Sequence, residues 1–268
     1  MKRRLEQAPI FAALLLLWIL IPGPSWGADP EDTESLTEHE PERAWLETYD
    51  PTLISRRLLL ESEYEDGGAR DSLKWSLNLR YSVTLEKDLA LGAQIVVPIK
   101  WMEFEDDRRA GLSNLEARVG FVGRLSSDWR WGLGVNGEFP TVSDPSLGPS
   151  AFILRPIAAV RWDVTKKINL GVNVEYSLTP GTEGAHRFEA LELKFPVTFK
   201  INSDLSANVT YKPRWNFVQD SSRNRLEIGL TRLLGSTKEY AISLSGEVPL
   251  SDENFVWKAT IGFTWFYN

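Results

Sequence analysis

Leu73-Lys74-Trp75-Ser76-Leu77-Asn78-Leu79-Arg80-Tyr81-Ser82-Val83-Thr84-Leu85 carries an apolar residue at every odd position and a polar one at every even position. Successive side chains of a strand point to opposite faces, so this alternation describes a half-buried β-strand, whereas a helix would mix the two sets on every face. The same period returns at 168–178, where Ile168, Leu170, Val172, Val174, Tyr176 and Leu178 alternate with Asn169, Gly171, Asn173, Glu175 and Ser177, and again at 205–217. Marking every such run predicts twelve strands, at about 56–65, 72–86, 89–104, 112–125, 128–141, 150–163, 167–178, 185–201, 204–217, 223–234, 237–249 and 254–267. Most exceed the roughly 9–11 residues that a strand tilted by about 45° needs to cross a hydrocarbon layer. An even number of long strands predicts an all-β fold, a transmembrane antiparallel up-and-down barrel over 56–268. Pro156, Pro196 and Pro213 fall inside these runs and each removes a ladder donor, so bulges or strand ends are expected near them.

Connections alternate in length. Short turns at 86–88, 126–128, 164–166, 202–204 and 235–237 alternate with longer or more irregular stretches at 105–111, 142–149, 179–186 and 218–222. Bacterial barrels keep short turns in the periplasm and longer loops outside. Both termini are therefore expected on the periplasmic side.

Alternation alone leaves open which face is outward, because a soluble barrel hides its apolar face and a membrane barrel offers it to lipid. Aromatic placement decides between them. Trp75, Trp101, Tyr176, Trp215 and Trp257, with Phe139 and Phe152, fall near one set of strand ends; Trp129, Trp162, Tyr240, Trp265 and Tyr267 fall near the other. Mid-strand positions on the same face read Leu77, Ile95, Val119, Val135, Val172, Leu193, Val209, Leu230 and Leu244. Two aromatic girdles around an aliphatic band are what the two interfaces of a bilayer select. A general liking of aromatics for strands accounts for their number but not for this segregation. Outer-membrane lipid and lipopolysaccharide are the expected surroundings.

Upstream, Lys2, Arg3 and Arg4 precede an apolar run at 8–21, then Pro22-Gly23-Pro24 and the small residues Ser25 and Gly27. This reads as a signal peptide over 1–27, its apolar run shorter than the roughly 20 residues of a spanning helix. An acidic periplasmic tail over 28–55 follows, nine acids between Asp29 and Asp50 against the single base Arg43, enough to account for the net charge of −7. The chain contains no Cys, which excludes a thiolate metal site, a disulfide frame and a lipidated N-terminal cysteine. No phosphate-binding loop or metal-ligand spacing appears, so no cofactor or metal is expected, and an acidic exposed surface argues against nucleic acid.

Function then falls to the polar face. Its bases are Lys74, Arg80, Lys100, Arg118, Arg130, Arg155, Arg161, Lys194, Lys212 and Arg214, and its acids include Glu116, Glu138, Glu175 and Glu192. With Arg124, Lys200 and Lys258, and with Glu86, Asp163, Glu227 and Glu247, the face carries thirteen bases against eight acids. Such a lining suits a watery pore for small polar or anionic solutes. Two alternatives stand beside it. Twelve strands lie between the eight whose interior side chains fill and the sixteen that leave an open channel, so Arg–Glu pairs around Arg118 and Glu116 are able to plug the bore. A lipid hydrolase at the rim would need a histidine base; only His39, in the acidic tail, and His186, in a loop, exist. His186 reads more simply as a solvated loop residue, and Asp106 with Asp107 as a charged turn rather than a protease pair.

Two resemblances follow from these residues. Trp257-Lys258-Ala259-Thr260-Ile261-Gly262-Phe263-Thr264-Trp265-Phe266-Tyr267 resembles the C-terminal strand of outer-membrane barrels, which implies recognition by the barrel-insertion machinery, although Asn268 follows the last aromatic. Gly111-Leu112-Ser113-Asn114-Leu115-Glu116-Ala117-Arg118, Trp131-Gly132-Leu133-Gly134-Val135, Phe139-Pro140-Thr141 and Leu147-Gly148-Pro149-Ser150 are similar to segments of the porin and transporter family associated with the phenol meta-degradation pathway. That resemblance implies a small transporter-like barrel.

Overall fold

The computed structural model describes residues 55–67, 70–104, 107–181, 187–235, 238–251 and 256–267. The signal peptide, the acidic tail to residue 54, His39, Glu105, Asp106, His186 and Asn268 lie outside them. Thirteen strand segments are present: β1 Arg57–Asp66, β2 Arg70–Glu86, β3 Leu89–Phe104, β4 Asp107–Leu112, β5 Leu115–Arg124, β6 Trp129–Phe139, β7 Ile153–Thr165, β8 Ile168–Leu178, β9 Glu189–Lys200, β10 Leu205–Asn216, β11 Ser221–Leu234, β12 Tyr240–Pro249 and β13 Trp257–Phe266. A 3₁₀ turn at Pro145–Leu147 lies between β6 and β7. Every pairing is antiparallel between neighbours, and β1 bonds to both β2 and β13, so the sheet closes on itself, with only the short β4 paired on one side.

The thirteen segments make twelve crossings, because β4 and β5 are one strand broken at Ser113 and Asn114. β3 pairs first with β5 (Val96 opposite Glu116) and then with β4 (Ile99 opposite Leu112). Three steps along β3 match four on its partner, which is a β-bulge. Here the structure corrects the expected loop at 105–111. Glu103 faces Arg108 across the β3–β4 pair at 2.9 Å, and that cross-strand pair extends the ladder through 107–111, sequence that reads as a charged loop. The expected irregular connection at 218–222 is likewise a compact turn at 217–220, with Asp220 at φ 50°, and β11 starts at Ser221.

The prolines also behave differently from expectation. A strand residue aims its N–H at one neighbour only, so a proline interrupts one ladder and leaves the other intact. Pro156 still opposes Val135 while the β7–β8 pairing skips from Leu154 to Ile157; Pro196 still opposes Thr210 while β8–β9 skips; Pro213 still opposes Asn224 while β9–β10 skips. Register is the same on both sides of each gap.

Because register is maintained, the two faces separate cleanly. Leu60 opposes Leu77 and Phe263, and Leu244 opposes Leu230 and Ile261, all on the outside. Leu77 and Leu79 are 41% and 46% exposed, while Ser76 and Asn78 between them are 5% and 4% exposed. Apolar residues face out and polar ones are buried within, the inverse of a soluble barrel. The wall turns tightly at Gly120 and Gly134, which oppose each other. A Cβ on Gly120 would lie 2.6 Å from the Leu133 carbonyl oxygen and 2.8 Å from the Gly134 Cα, so only glycine fits that approach.

Candidate functional site: the bore

Two barrel ends differ. The connections at 87–88, 125–128, 166–167 and 201–204 are short, and β1 begins and β13 ends beside them; we call this the turn end. The loop end carries the long connections at 140–152 and 179–188. Strand parity places Lys74, Arg80, Lys100, Arg118, Arg130, Arg155, Arg161, Lys194, Lys212, Arg214, Glu116, Glu138, Glu175 and Glu192 on the inward face.

In the loop-end half these charges form a belt. Arg155 donates to Glu138 and lies 3.7 Å from both Glu116 and Glu175. Lys194 bridges Glu175 at 3.9 Å and Glu192 at 3.2 Å; Arg225 bridges Glu192 at 2.5 Å and Glu247 at 3.0 Å; Lys212 bridges Glu247 at 2.6 Å and Glu227 at 2.5 Å. Arg214 stands 4.0 Å from Glu192. Glu247 faces Lys258 on β13, and Lys258 reaches Glu65 at 3.2 Å and Glu63 at 3.7 Å, while Lys74 reaches Glu63 at 3.4 Å. The belt therefore runs from β5 through β13 and on to β1 and β2. Signs alternate along it, so partly desolvated charges are satisfied in pairs.

From mid-height to the turn end the lining changes to bases. Arg57, Arg80, Gln94, Arg118 and Asn136 stand opposite one another on successive strands, and Arg124, Arg130 and Arg161 form a second row. Asp163 approaches Arg130 at 3.4 Å and Asn173 accepts from Arg161 at 2.6 Å. Arg118 Nε and Arg124 Nε are buried with no hydrogen-bond acceptor. Glu116 accepts from Asn136 at 2.9 Å and turns to Arg155 at 3.7 Å.

Among the described residues, the inward charges that escape the sequence reading include Arg57, Glu61, Glu63, Glu65, Arg223 and Arg225. Three of each sign leave the excess of bases unchanged. The run Leu58-Leu59-Leu60 hides the first four, because Leu59 breaks the alternation by facing inward at 1% exposure, where it packs over Gly262. Arg223 and Arg225 lie inside the expected strand at 223–234 and share parity with Glu227, so period two alone was enough to find them.

Three of the four motif pieces that carry the family resemblance, around 111–118, 139–141 and 147–150, converge on one spot at the loop end, while Trp131 to Val135 lies lower on β6. Thr141 Oγ1 accepts from the Leu115 amide at 2.9 Å, Ser113 Oγ donates to the Leu147 carbonyl at 2.9 Å, and Asn114 Nδ2 donates to Glu138 at 2.9 Å and to the Pro149 carbonyl at 2.8 Å. Gly111 faces inward and leaves room for Ser143 and Leu147. These bonds fix the β6–β7 connection against the inner side of β4 and the bulge. Asp144 caps the 3₁₀ turn, accepting from the Ser146 amide at 2.8 Å and hydroxyl at 2.7 Å, and Arg109 of β4 lies 3.0 Å from it. The Ser146 hydrogen bonds, with help from Arg109, hold the Asp144 carboxyl below the usual carboxylate range.

On the outer face, Trp75, Trp101, Tyr176, Trp215 and Trp257 lie toward the loop end and Trp129, Trp162, Tyr240, Trp265 and Tyr267 toward the turn end. Trp129 and Trp162 are stacked, with ring centroids 5.4 Å apart and planes 8° apart. Tyr176 donates its hydroxyl to Glu189, which also meets Arg187 at 2.8 Å.

Comparison of the barrel with solved structures gives a clear answer on architecture. An outer membrane channel from Pseudomonas putida F1 superposes with a TM-score of 0.69 at 12% identity, over 90% of this chain and 100% of that one. This is the fold of outer-membrane channels. The NanC porin (TM-score 0.55, 14% identity, 79% of this chain and 100% of that one) and the CymD monoaromatic hydrocarbon channel (0.53, 8%, 85% and 93%) share it. No protein-family model matches the sequence, nor does any curated protein.

Proposed function

We propose that the protein is a porin-like channel of the bacterial outer membrane that passes small polar or anionic solutes passively. The observation that carries this reading is the inverted barrel: an apolar exterior around a closed wall whose inward face is a belt of paired charges followed by rows of arginine. In this reading the girdles rest at the two interfaces against lipid and lipopolysaccharide, the turn end with both termini faces the periplasm, and the C-terminal strand is the element that the insertion machinery reads. The excess of bases inclines selection toward anions.

Planar bilayers test it. Refolded protein should give steady openings in KCl, with a reversal potential on the anion side under a salt gradient. The mutual burial of inward side chains, with Arg161 at 0% and Arg57 at 2% exposure, favours one other reading, a barrel closed by its own lining; silence in the bilayer, from protein that migrates as a folded band, would select it.

A further inference from the structure

Near the loop-end mouth two bases face each other with no acid between them. Arg214 of β10 stands directly opposite Arg223 of β11, two positions inside the last pair of that hairpin, Asn216 opposite Ser221. Side chains so placed start about 4.5–5.5 Å apart at Cβ, and like charges directly opposite destabilise a sheet. The neighbouring acids do not relieve them. Glu192, Glu227 and Glu247 each meet Lys194, Lys212 or Arg225 at 3.2 Å or closer, whereas Arg214 comes only within 4.0 Å of Glu192. Arg223 makes no hydrogen bond or ion pair among the described residues. Those three acids thus balance those three bases, and the facing pair is left as a surplus of two positive charges. The Arg214 guanidinium lies over the Phe188 ring at 5.3 Å, which steadies its plane without neutralising it.

We propose that Arg214 and Arg223 form an entry site for a compact tetrahedral dianion of the phosphate class. The inference rests on the channel reading and names the solute class and the two residues that meet it at the loop end. Each guanidinium offers a phosphate two parallel N–H groups, and two such forks on facing positions close on the oxygens of one tetrahedral ion. Charge decides the class. A monoanion neutralises one guanidinium and leaves the other unpaired, while a compact dianion removes the whole surplus at once. Because Phe188 already holds one fork, less side-chain freedom is lost when the ion binds. Lys194, Lys212 and Arg225 stay with their carboxylates, so the strength of the site lies in the facing pair.

Inorganic phosphate is the probe, used at about pH 8, where it is mostly a dianion. Added on the loop-end side of bilayers conducting KCl, it should reduce the chloride current saturably at concentrations where dimethyl phosphate, a tetrahedral ion with a single charge, has no effect. Arg223→Gln should weaken the block at least roughly tenfold, the worth of one charge-assisted hydrogen bond. Arg232→Gln removes an equal charge from the same strand but on the outer face, where Arg232 opposes Ile242, and should leave the block as it was. Equal block by dimethyl phosphate, an equal loss in Arg232→Gln, or block unchanged in an Arg223→Gln barrel that still migrates as folded protein would overturn the site. If KCl itself carries no current, the channel reading fails separately. Calorimetric titration of phosphate into the barrel in detergent micelles then decides the site alone: heat lost on Arg223→Gln upholds it, and heat retained in that variant or absent from both proteins overturns it.

Discussion

Glu247 holds two cations at once, Lys212 and Arg225, with only 5% of its own side chain exposed. Glu247→Gln retains its shape and removes its charge, leaving both cations short of a partner in a partly dehydrated bore. Unpairing a buried charge costs roughly 3–5 kcal/mol. Lys212 retains Glu227 and Arg225 retains Glu192, so the lower end, about 3 kcal/mol, is expected in urea unfolding from lipid vesicles. A loss under about 1 kcal/mol would mean that the belt behaves as a solvated surface pair. Gly120→Ala should cost roughly 1–3 kcal/mol by pressing a methyl group against the β6 backbone, whereas Gly92→Ala should leave unfolding unchanged. Period two was enough to place Lys74, Arg155 or Glu192 on the polar face. It says nothing of partners, because those follow from register: Glu192 meets Arg225 from 33 residues away only through the stagger of β9, β10 and β11.

At the level of elements, the bulge at Ser113 and Asn114 and the β6–β7 connection act as one unit. Asn114→Ala removes both of its bonds, to Glu138 and to the Pro149 carbonyl. It should cost about 1–3 kcal/mol, the penalty of unsatisfied buried partners, and open 140–152 to limited proteolysis while the strands stay protected. The Asp144 cap adds a pH dependence. Its carboxyl titrates lower in the folded loop than in the unfolded chain, so its contribution is complete above the ordinary carboxylate range and is lost as pH falls through the folded value. Protease protection of the loop should decline only on acidification, and Asp144→Asn should remove that pH dependence. Most of the twelve crossings were legible in advance because each is a long run with one period. β4 was not, since Asp107-Arg108-Arg109 is charged throughout, and such a stretch becomes strand only when the facing strand supplies the opposite charge.

For the whole molecule, the outer face sets the decisive stability test. Leu244 is 55% exposed at mid-height among Leu230 and Ile261. Leu244→Arg should destabilise the barrel by about 2–4 kcal/mol in bilayers, the cost of a cation at the midplane; no change would place that face in water. The bore is charge-balanced at the loop end and basic at the turn end, so it is a polarised tube. Its current should rectify in about 0.1 M KCl and become symmetric near 1 M, where the screening length falls from about 10 Å to about 3 Å. This polarity was illegible in the sequence, which lists bases without heights. One feature outside the bore offers a way to watch the barrel close. Trp129 and Trp162 lie in nearly parallel planes only because β6 and β7 are zipped in register. Two indoles so arranged share their electronic excitation, and the resulting circular-dichroism couplet is a built-in optical clock: it should be silent in the collapsed chain, switch on with the closing of that seam, and vanish in Trp162→Phe.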